Sequence, residues 1–271
     1  MNKLFCSSGV MVGRINGNDY TLITKYFPSL LEKGLIDGGE FMFASSFYDK
    51  LNEICTEISK SNVPFDVIHC DKEIGIMLSE CDDNISKIAL GKLEANCAFA
   101  REIGARCGVF HLWGGLKSDL NIDYNISYLD RILSIFERYK IELLIENIPS
   151  VKYSGLENWL KIEKEYPDIS YIFDTRFGAF HDEINNIFSN QIWEKVKHIH
   201  ISDYSSYPRN FEKIRPILHP GEGVIDFEHV FSMLKWLNYT GTFTIESPVM
   251  SEGYTDICKL EKTLSFVKNN I

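Results

Sequence analysis

The chain reads IELLIENIP at 141–149, ISYIFD at 169–174, VKHIHISD at 196–203 and GTFTIES at 241–247. Each segment is a short run of apolar and β-branched residues, the composition typical of a buried strand. Four similar runs precede them: FCSSGV at 5–10, GGEFMFA at 38–44, FDVIHC at 65–70 and RCGVFHL at 106–112. Amphipathic stretches lie between the runs, with apolar residues three and four positions apart. Eight strands that alternate with helices predict an α/β fold, a (β/α)8 TIM barrel of parallel strands.

The length of the chain fits one such barrel. Its 271 residues are close to the ~250 that eight strand–helix units require. No Pro/Ser-rich linker or low-complexity tract divides the sequence, so we expect a single domain over residues 1–271. No apolar run approaches the roughly 18 residues of a membrane span, and the segment MNKLFCSSGV lacks the apolar core of a secretory signal. We therefore expect no membrane association and a cytoplasmic location.

Cysteine usage and net charge point to a reduced compartment and a small substrate. The seven cysteines form no CxxC pair, which favours free thiols over a disulfide framework. The formal net charge of −10 gives no overall attraction for nucleic acid, and no basic run is visible. We expect a small polar molecule as the partner, no nucleic acid and no membrane, while homo-oligomerisation stays open.

Residues that bind cations or move protons end six of the predicted strands. They are, from the third strand to the eighth, His69, His111, Glu146, Asp174, His200 and Glu246. Active sites of these barrels lie at the carboxyl ends of the strands. One acidic residue there is usually a solvated rim residue, but three carboxylates on strand ends ~5 Å apart would repel one another without a cation. Three carboxylates and one imidazole suit Mn, Mg, Co or Zn.

Five motifs occur in a fixed order along the chain. They are LLIENIP, YIFDTRFGAFH, KHIHISD, HPGEGVIDF and TFTIESP, with DGGEF on the second strand. In order and spacing they resemble the xylose isomerase-like barrels, which include ketose 3-epimerases, hydroxypyruvate isomerases, inosose dehydratases and endonuclease-IV-type AP endonucleases. The likeness spans essentially the whole chain. It implies a divalent metal ion held by Glu146, Asp174, His200 and Glu246.

The resemblance also implies a metal-dependent sugar isomerase or epimerase acting on a ketose, an aldose or a related hydroxy-carbonyl compound. Glu146 and Glu246 would be the catalytic acid/base pair as well as metal ligands. The metal would polarise the carbonyl and the adjacent hydroxyl while a carboxylate removes the carbon-bound proton. A metal-dependent dehydratase of the inosose or dehydroshikimate type is an alternative, as is a non-catalytic barrel that binds metal or sugar.

The AP endonuclease alternative depends on additional metal ligands. In those relatives the histidines on strands three and four hold a first metal with the shared glutamate, and His69, His111 and Glu146 match that set. A third metal needs a histidine three residues after Asp174, where this chain has Phe177. It also needs an Asp-x-His before the GEG motif, where the chain has Arg215 and Ile217. The predicted trinuclear site is therefore incomplete.

Four residues are predicted to contact the substrate: His69, His111, Trp113 and Arg209. The two histidines line the sugar pocket in epimerase-like relatives, although satisfied rim histidines are the alternative. Trp113 could stack on the apolar face of a sugar or pack under a loop. Arg209 could anchor a phosphate or carboxylate, although solvated loop charges are commoner. It lies in the irregular stretch 203–223, which we interpret as a lid or specificity loop.

Overall fold

Eight parallel strands form a closed barrel in sequence order. The structure is a computed structural model that describes residues 2–251 and 253–271. The barrel strands are β1 (Lys3–Ser7), β2 (Gly38–Met42), β3 (Phe65–His69), β4 (Cys107–Phe110), β5 (Glu142–Glu146), β6 (Ser170–Asp174), β7 (Val196–Ile201) and β8 (Thr242–Ile245). The ring closes between β1 and β8, where Phe5 is the register partner of Thr244. This confirms the predicted TIM barrel.

Helices surround the barrel. They are α1 (Thr21–Glu32), α2 (Leu51–Ser61), α3 (Glu73–Leu78), α4 (Asp83–Glu102), α5 (Ile122–Ile126), α6 (Leu129–Tyr139), α7 (Gly155–Glu165), α8 (Thr175–His181), α9 (Ile184–Ser189), α10 (Phe227–Trp236) and α11 (Ile257–Lys268). A short antiparallel pair, β9 (Met250–Ser251) and β10 (Tyr254–Thr255), precedes α11. Within residues 2–251 and 253–271, no helix combines the length and apolarity that a membrane crossing needs.

The first strand differs from its prediction. The segment FCSSGV was expected to be extended throughout, but β1 begins at Lys3 and ends at Ser7. Residues Ser8–Val10 form a turn of 3-10 helix instead. The hydroxyl of Ser7 accepts a hydrogen bond from the backbone N–H of Gly9 at 3.2 Å, a local cap that competes with continued strand pairing. The strand prediction at 8–10 was therefore wrong.

The interior of the barrel has an apolar floor. Phe5, Val67, Val109, Leu144 and Ile172 pack together inside the ring. Side chains along a strand alternate between its two faces, so residues two positions further along point into the same interior. On strands β3 to β6 those next residues are His69, His111, Glu146 and Asp174. The polar residues at the strand ends thus lie directly above the apolar floor.

A second apolar layer separates the barrel from the helices. The buried faces of the helices repeat at the expected helical spacing, as in α6, where Leu129, Ile132, Ile135 and Phe136 are buried. Aromatic rings fill the space between helix and strand, with the centroids of Trp159 and Tyr171 4.8 Å apart. This packing holds the strand ends rigidly enough to place a site.

Candidate metal centre

The barrel brings the four predicted metal ligands together. Glu146 and Asp174 end β5 and β6, His200 lies in β7, and Glu246 directly follows β8. All four are buried, and one ligand atom from each lies within 4.8 Å of those of the other three. The Nδ1 atom of His200 is 3.0 Å from Oε1 of Glu146 and 3.5 Å from Oε2 of Glu246. Three carboxylates and one imidazole therefore converge at the mouth of the barrel.

Two carboxylate oxygens at this point lack hydrogen-bond partners. Among the residues that the structure describes, Oδ2 of Asp174 and Oε1 of Glu246 are buried and unpaired. A buried carboxylate oxygen without a donor is costly, on the order of several kcal/mol for a charged group. A divalent cation would satisfy both oxygens and offset the mutual repulsion of the carboxylates. The donor set thus fits Mn, Mg, Co or Zn.

The ligand at Asp174 is held by its own backbone and by its neighbours. Its Oδ1 accepts a hydrogen bond from the N–H of Phe177 at 3.0 Å, which caps the first turn of α8. Asn147 accepts from the backbone N–H of Asp174 at 2.7 Å. With Oδ1 occupied, Oδ2 is the oxygen available to a cation. Nη2 of Arg176 lies 3.9 Å from this Oδ2.

Burial and crowded charge shift the pKa values of the cluster. Burial, followed by the nearby Glu146 and Glu246, raises the pKa of Asp174 to about 6 against the opposing charge of Arg176. Burial alone would lower the pKa of His200, but the surrounding carboxylates outweigh it and raise that pKa well above its ordinary value. Without a cation, the cluster therefore retains protons that a bound cation would displace.

His69 and His111 lie beside this cluster, as predicted from their strand ends. Nε2 of His111 is 2.5 Å from Oε2 of Glu146, and Nε2 of His69 is 3.4 Å from the same oxygen. Burial lowers the pKa of His111 to about 4, although Glu146 opposes the shift. A neutral His111 donates its Nε2–H to the carboxylate. These histidines and Glu146 form another group of three possible ligands, which shares Glu146 with the first group.

Trp113 and Arg209 lie elsewhere. The ring of Trp113 is fully buried, and its indole N–H donates to Oγ of Ser150 at 3.0 Å. Trp113 thus supports the loop from beneath and offers no surface for stacking on a sugar. Arg209 is exposed in the loop after β7, and its backbone N–H donates to the carbonyl of Phe180 at 2.7 Å. The four-residue cluster does not include it.

The comparisons with known proteins concern the family and the fold of the chain. A family described as the xylose isomerase-like TIM barrel matches residues 36–269. The chain belongs to this family. The uncharacterised protein MJ1311 of Methanocaldococcus jannaschii is 27% identical over 172 residues, which cover 59% of this chain and 55% of MJ1311. The chain therefore aligns with only about half the length of that relative.

Solved structures of other xylose isomerase-like barrels share the fold over almost the whole chain. The 3-keto-D-glucoside 4-epimerase YcjR of E. coli is 16% identical, with a TM-score of 0.69 over 99% of this chain and 100% of its own. D-allulose 3-epimerase from Methylomonas sp., in complex with D-allulose, is 14% identical, with a TM-score of 0.74 over 100% and 97%. The IOLI protein with a bound zinc atom is 15% identical, with a TM-score of 0.68 over 99% and 96%.

Glu40 escaped prediction as a site residue of this xylose isomerase-like barrel. It lies on β2, is completely buried, and its Oε2 is 3.0 Å from Nε2 of both His198 and His200. The segment DGGEF offered one signal for the position of Glu40. Every second side chain along a barrel strand points inward, so Glu40 could be expected in the interior. His198, interpreted from its position as lying one layer below His200, is buried beside Glu40.

The loop between β7 and α10 is closed at its base. The carboxylate of Asp203 accepts backbone hydrogen bonds from Gly221 at 3.0 Å and Gly223 at 2.9 Å. A side chain at Gly223 would place its Cβ 2.1 Å from the carbonyl of Tyr204, so this close approach requires glycine. The middle of the loop is exposed at Tyr207 and Phe211. The loop is thus anchored at its base, and its middle also contacts α8 through the Arg209 N–H and the ring of Phe211.

Proposed function

We propose that this protein is a metal-dependent sugar isomerase or epimerase. The observation that carries the proposal is the convergence of Glu146, Asp174, His200 and Glu246, with two buried carboxylate oxygens lacking a hydrogen-bond partner in the described residues. Family membership and the likeness to solved structures of sugar epimerases support the substrate class. The zinc-bound IOLI barrel supports the use of a metal ion.

The four ligands would hold one divalent ion. When bound, the ion supplies Lewis-acid polarisation of a substrate carbonyl and its neighbouring hydroxyl. Glu246 is the base in this proposal, because its side chain, 5% exposed, borders the mouth. It removes the proton from the carbon next to the carbonyl. Glu146, on the other side of His200 Nδ1, is the acid: it takes up a proton from solvent and delivers it to that carbon from the opposite face, while the proton on Glu246 passes to solvent.

His69 and His111 are the proposed substrate contacts. Nε2 of His69 is buried, with no hydrogen-bond partner in the part of the chain that the structure describes, so it is free to bond a sugar hydroxyl. His111, 10% exposed, reaches both Glu146 and the mouth of the barrel. Arg209 would join them only if the tip of the 203–223 loop moved toward the strand ends. Trp113 is left out of the proposed contacts because its indole N–H already bonds Ser150 and its ring packs beneath the loop.

Solvent deuterium incorporation tests this function. The protein, supplied with Mn²⁺ or Co²⁺, is incubated with a panel of ketohexoses and ketopentoses in D₂O, and products are followed by NMR. Proton transfer through an enediolate predicts deuterium at the carbon that is inverted or isomerised. Product without deuterium would indicate a hydride shift, and loss of a hydroxyl would indicate the dehydratase alternative. No turnover on any hydroxy-carbonyl compound would support a non-catalytic barrel.

An AP endonuclease remains the second candidate function, because His69 and His111 meet Glu146 as a first-metal site of that class would require. Against it, Arg215 and Ile217 stand where third-metal ligands would be needed. We therefore place sugar chemistry first. We also propose that residues 1–271 act as one functional domain, while the cytoplasmic location and any homo-oligomer stay predictions.

A further inference from the structure

Glu40 binds three donors with a single oxygen. Its Oε2 lies 3.0 Å from Nε2 of His198, 3.0 Å from Nε2 of His200 and 2.9 Å from Oγ1 of Thr244. All four side chains are buried inside the barrel. A lone carboxylate in such a place is costly unless donors surround it. The three donors that converge on this oxygen offset that cost.

The hydrogen bond determines which nitrogen of His200 carries hydrogen. A carboxylate can only accept, so Nε2 of His200 must be protonated to bond Glu40. When a bound cation displaces the second proton of the ring, the other nitrogen, Nδ1, presents its lone pair. Nδ1 is the atom that faces Glu146 and Glu246 at 3.0 and 3.5 Å. The ring is thus oriented with its metal-binding nitrogen toward the cluster.

We infer that Glu40 is a positioning residue that holds His200 in the Nε2–H form with Nδ1 aimed at the cation. This inference rests on the proposed metal site and does not depend on the identity of the sugar. Glu40 contacts neither the substrate nor the ion. Carboxylates that accept from a metal-bound histidine commonly alter metal affinity by roughly 10- to 100-fold.

The rest of the network holds Glu40 itself. Nδ1 of His198 bonds Oγ1 of Thr242. Nε2 of the same ring contacts Glu40 and also lies 2.8 Å from Oγ1 of Thr244. Side chains of β7 and β8 therefore hold the Oε2 atom of Glu40, which projects from β2. The other oxygen, Oε1, is buried without a hydrogen-bond partner in the described part of the chain, so the experiment must also detect a second cation between Glu40, His198 and His200.

Metal affinity of a conservative variant tests the inference. In Glu40→Gln the amide can donate to Nε2 of His200 and so favour the Nδ1–H form, which cannot bind the ion. We expect its Kd for Co²⁺, measured by calorimetry on the metal-free protein, to rise by roughly 10- to 100-fold. Glu183→Gln is the matched control, because it makes the same change at a buried glutamate that caps α7. Its Kd for Co²⁺ should not change.

Two results would overturn the inference. One is a Glu40→Gln variant with lower thermal stability but unchanged Kd, which would leave Glu40 a purely structural role. The other is a wild-type protein that binds two ions and loses one of them in this variant, which would make Glu40 a ligand. A variant that binds Co²⁺ weakly while the wild type turns over no sugar would keep the inference and remove the proposed function.

A measurement on the wild type covers the case in which Glu40→Gln does not fold. In the Zn²⁺-loaded protein with ¹⁵N-labelled histidine, His200 should show a slowly exchanging proton on Nε2 and none on Nδ1. A proton on Nδ1, or zinc bound through Nε2, would contradict the proposed orientation.

Discussion

His111 donates a hydrogen bond from Nε2 to Oε2 of Glu146 over 2.5 Å. The bond occupies one oxygen of Glu146, while the other oxygen faces His200. A second ion at His69, His111 and Glu146 would have to replace this bond. The cluster with Asp174 and Glu246 instead offers two buried oxygens, Oδ2 of Asp174 and Oε1 of Glu246, that have no hydrogen-bond partner among the described residues.

We therefore expect one tightly bound divalent ion per chain and a second that binds more weakly. Elemental analysis after dialysis, followed by calorimetric titration, measures both. Chelation should lower the melting temperature, since a ligand at a hundred times its Kd stabilises the folded state by about 2.7 kcal/mol. Two ions that both survive dialysis would show that the His111–Glu146 bond does not limit binding.

The acid/base role of Glu146 and Glu246 should be separable from their role in metal binding. Glu146→Gln and Glu246→Gln each keep a neutral oxygen ligand but remove the base. Each should lower kcat by at least the ~10²-fold typical of a missing general base, with a smaller loss of metal affinity. Steady-state kinetics and metal titration on the same preparations compare the two effects. Full activity in either variant would remove that residue from the mechanism.

Nucleic-acid cleavage should be absent. The formal charge of −10, with Arg215 and Ile217 at the positions of third-metal ligands, leads us to expect no incision of duplex DNA carrying an abasic site. A gel assay with added Zn²⁺ or Mn²⁺ tests this expectation. Efficient cleavage that disappears in His69→Ala would favour an AP endonuclease over a sugar isomerase or epimerase.

Glu183 should make stability depend on pH. Burial raises its pKa to about 7, and the backbone N–H of Leu156, which donates to it, opposes the shift. Above the unfolded pKa of roughly 4.3, the unfolded chain loses this proton while the folded chain keeps it until about pH 7. This contribution to the free energy of unfolding therefore falls as the pH rises through that window.

Glu183→Gln has no proton to lose at this position. Relative to the wild type, its free energy of unfolding should increase from pH 5 to pH 8, by up to roughly 3 kcal/mol. Urea denaturation at the two pH values measures the difference. A difference that stays constant between pH 5 and pH 8 would show that Glu183 is ionised in the folded protein throughout.

Much of this arrangement was predictable from local patterns. Glu146 and Asp174 end apolar runs on neighbouring strands, so period-two alternation and barrel closure were enough to expect them side by side. The same alternation predicted the inward position of His200. It did not predict that Nδ1 is the nitrogen that faces Glu146 and Glu246. Glu246 ends the eighth apolar run and belonged to the same predicted set, to which the family resemblance added the roles of metal ligand and acid/base residue.

The remaining features depend on contacts distant in sequence. Glu40 meets His198, His200 and Thr244 across separations of 158, 160 and 204 residues, and only ring closure brings those strands together. Strand β1 ends where Ser7 caps the following 3-10 turn. The apolar character of the segment does not predict such a cap. The burial of Trp113 depends on its bond to Ser150, 37 residues away in another loop.

Anomalous diffraction from crystals grown with Mn²⁺ tests the central claim most directly. Data collected on both sides of the metal absorption edge should give a strong peak between Glu146, Asp174, His200 and Glu246, with ligand atoms at about 2.0–2.3 Å. His200 should bind through Nδ1. A metal-loaded protein with no peak at this position, or with its ion held by other residues, would contradict the account.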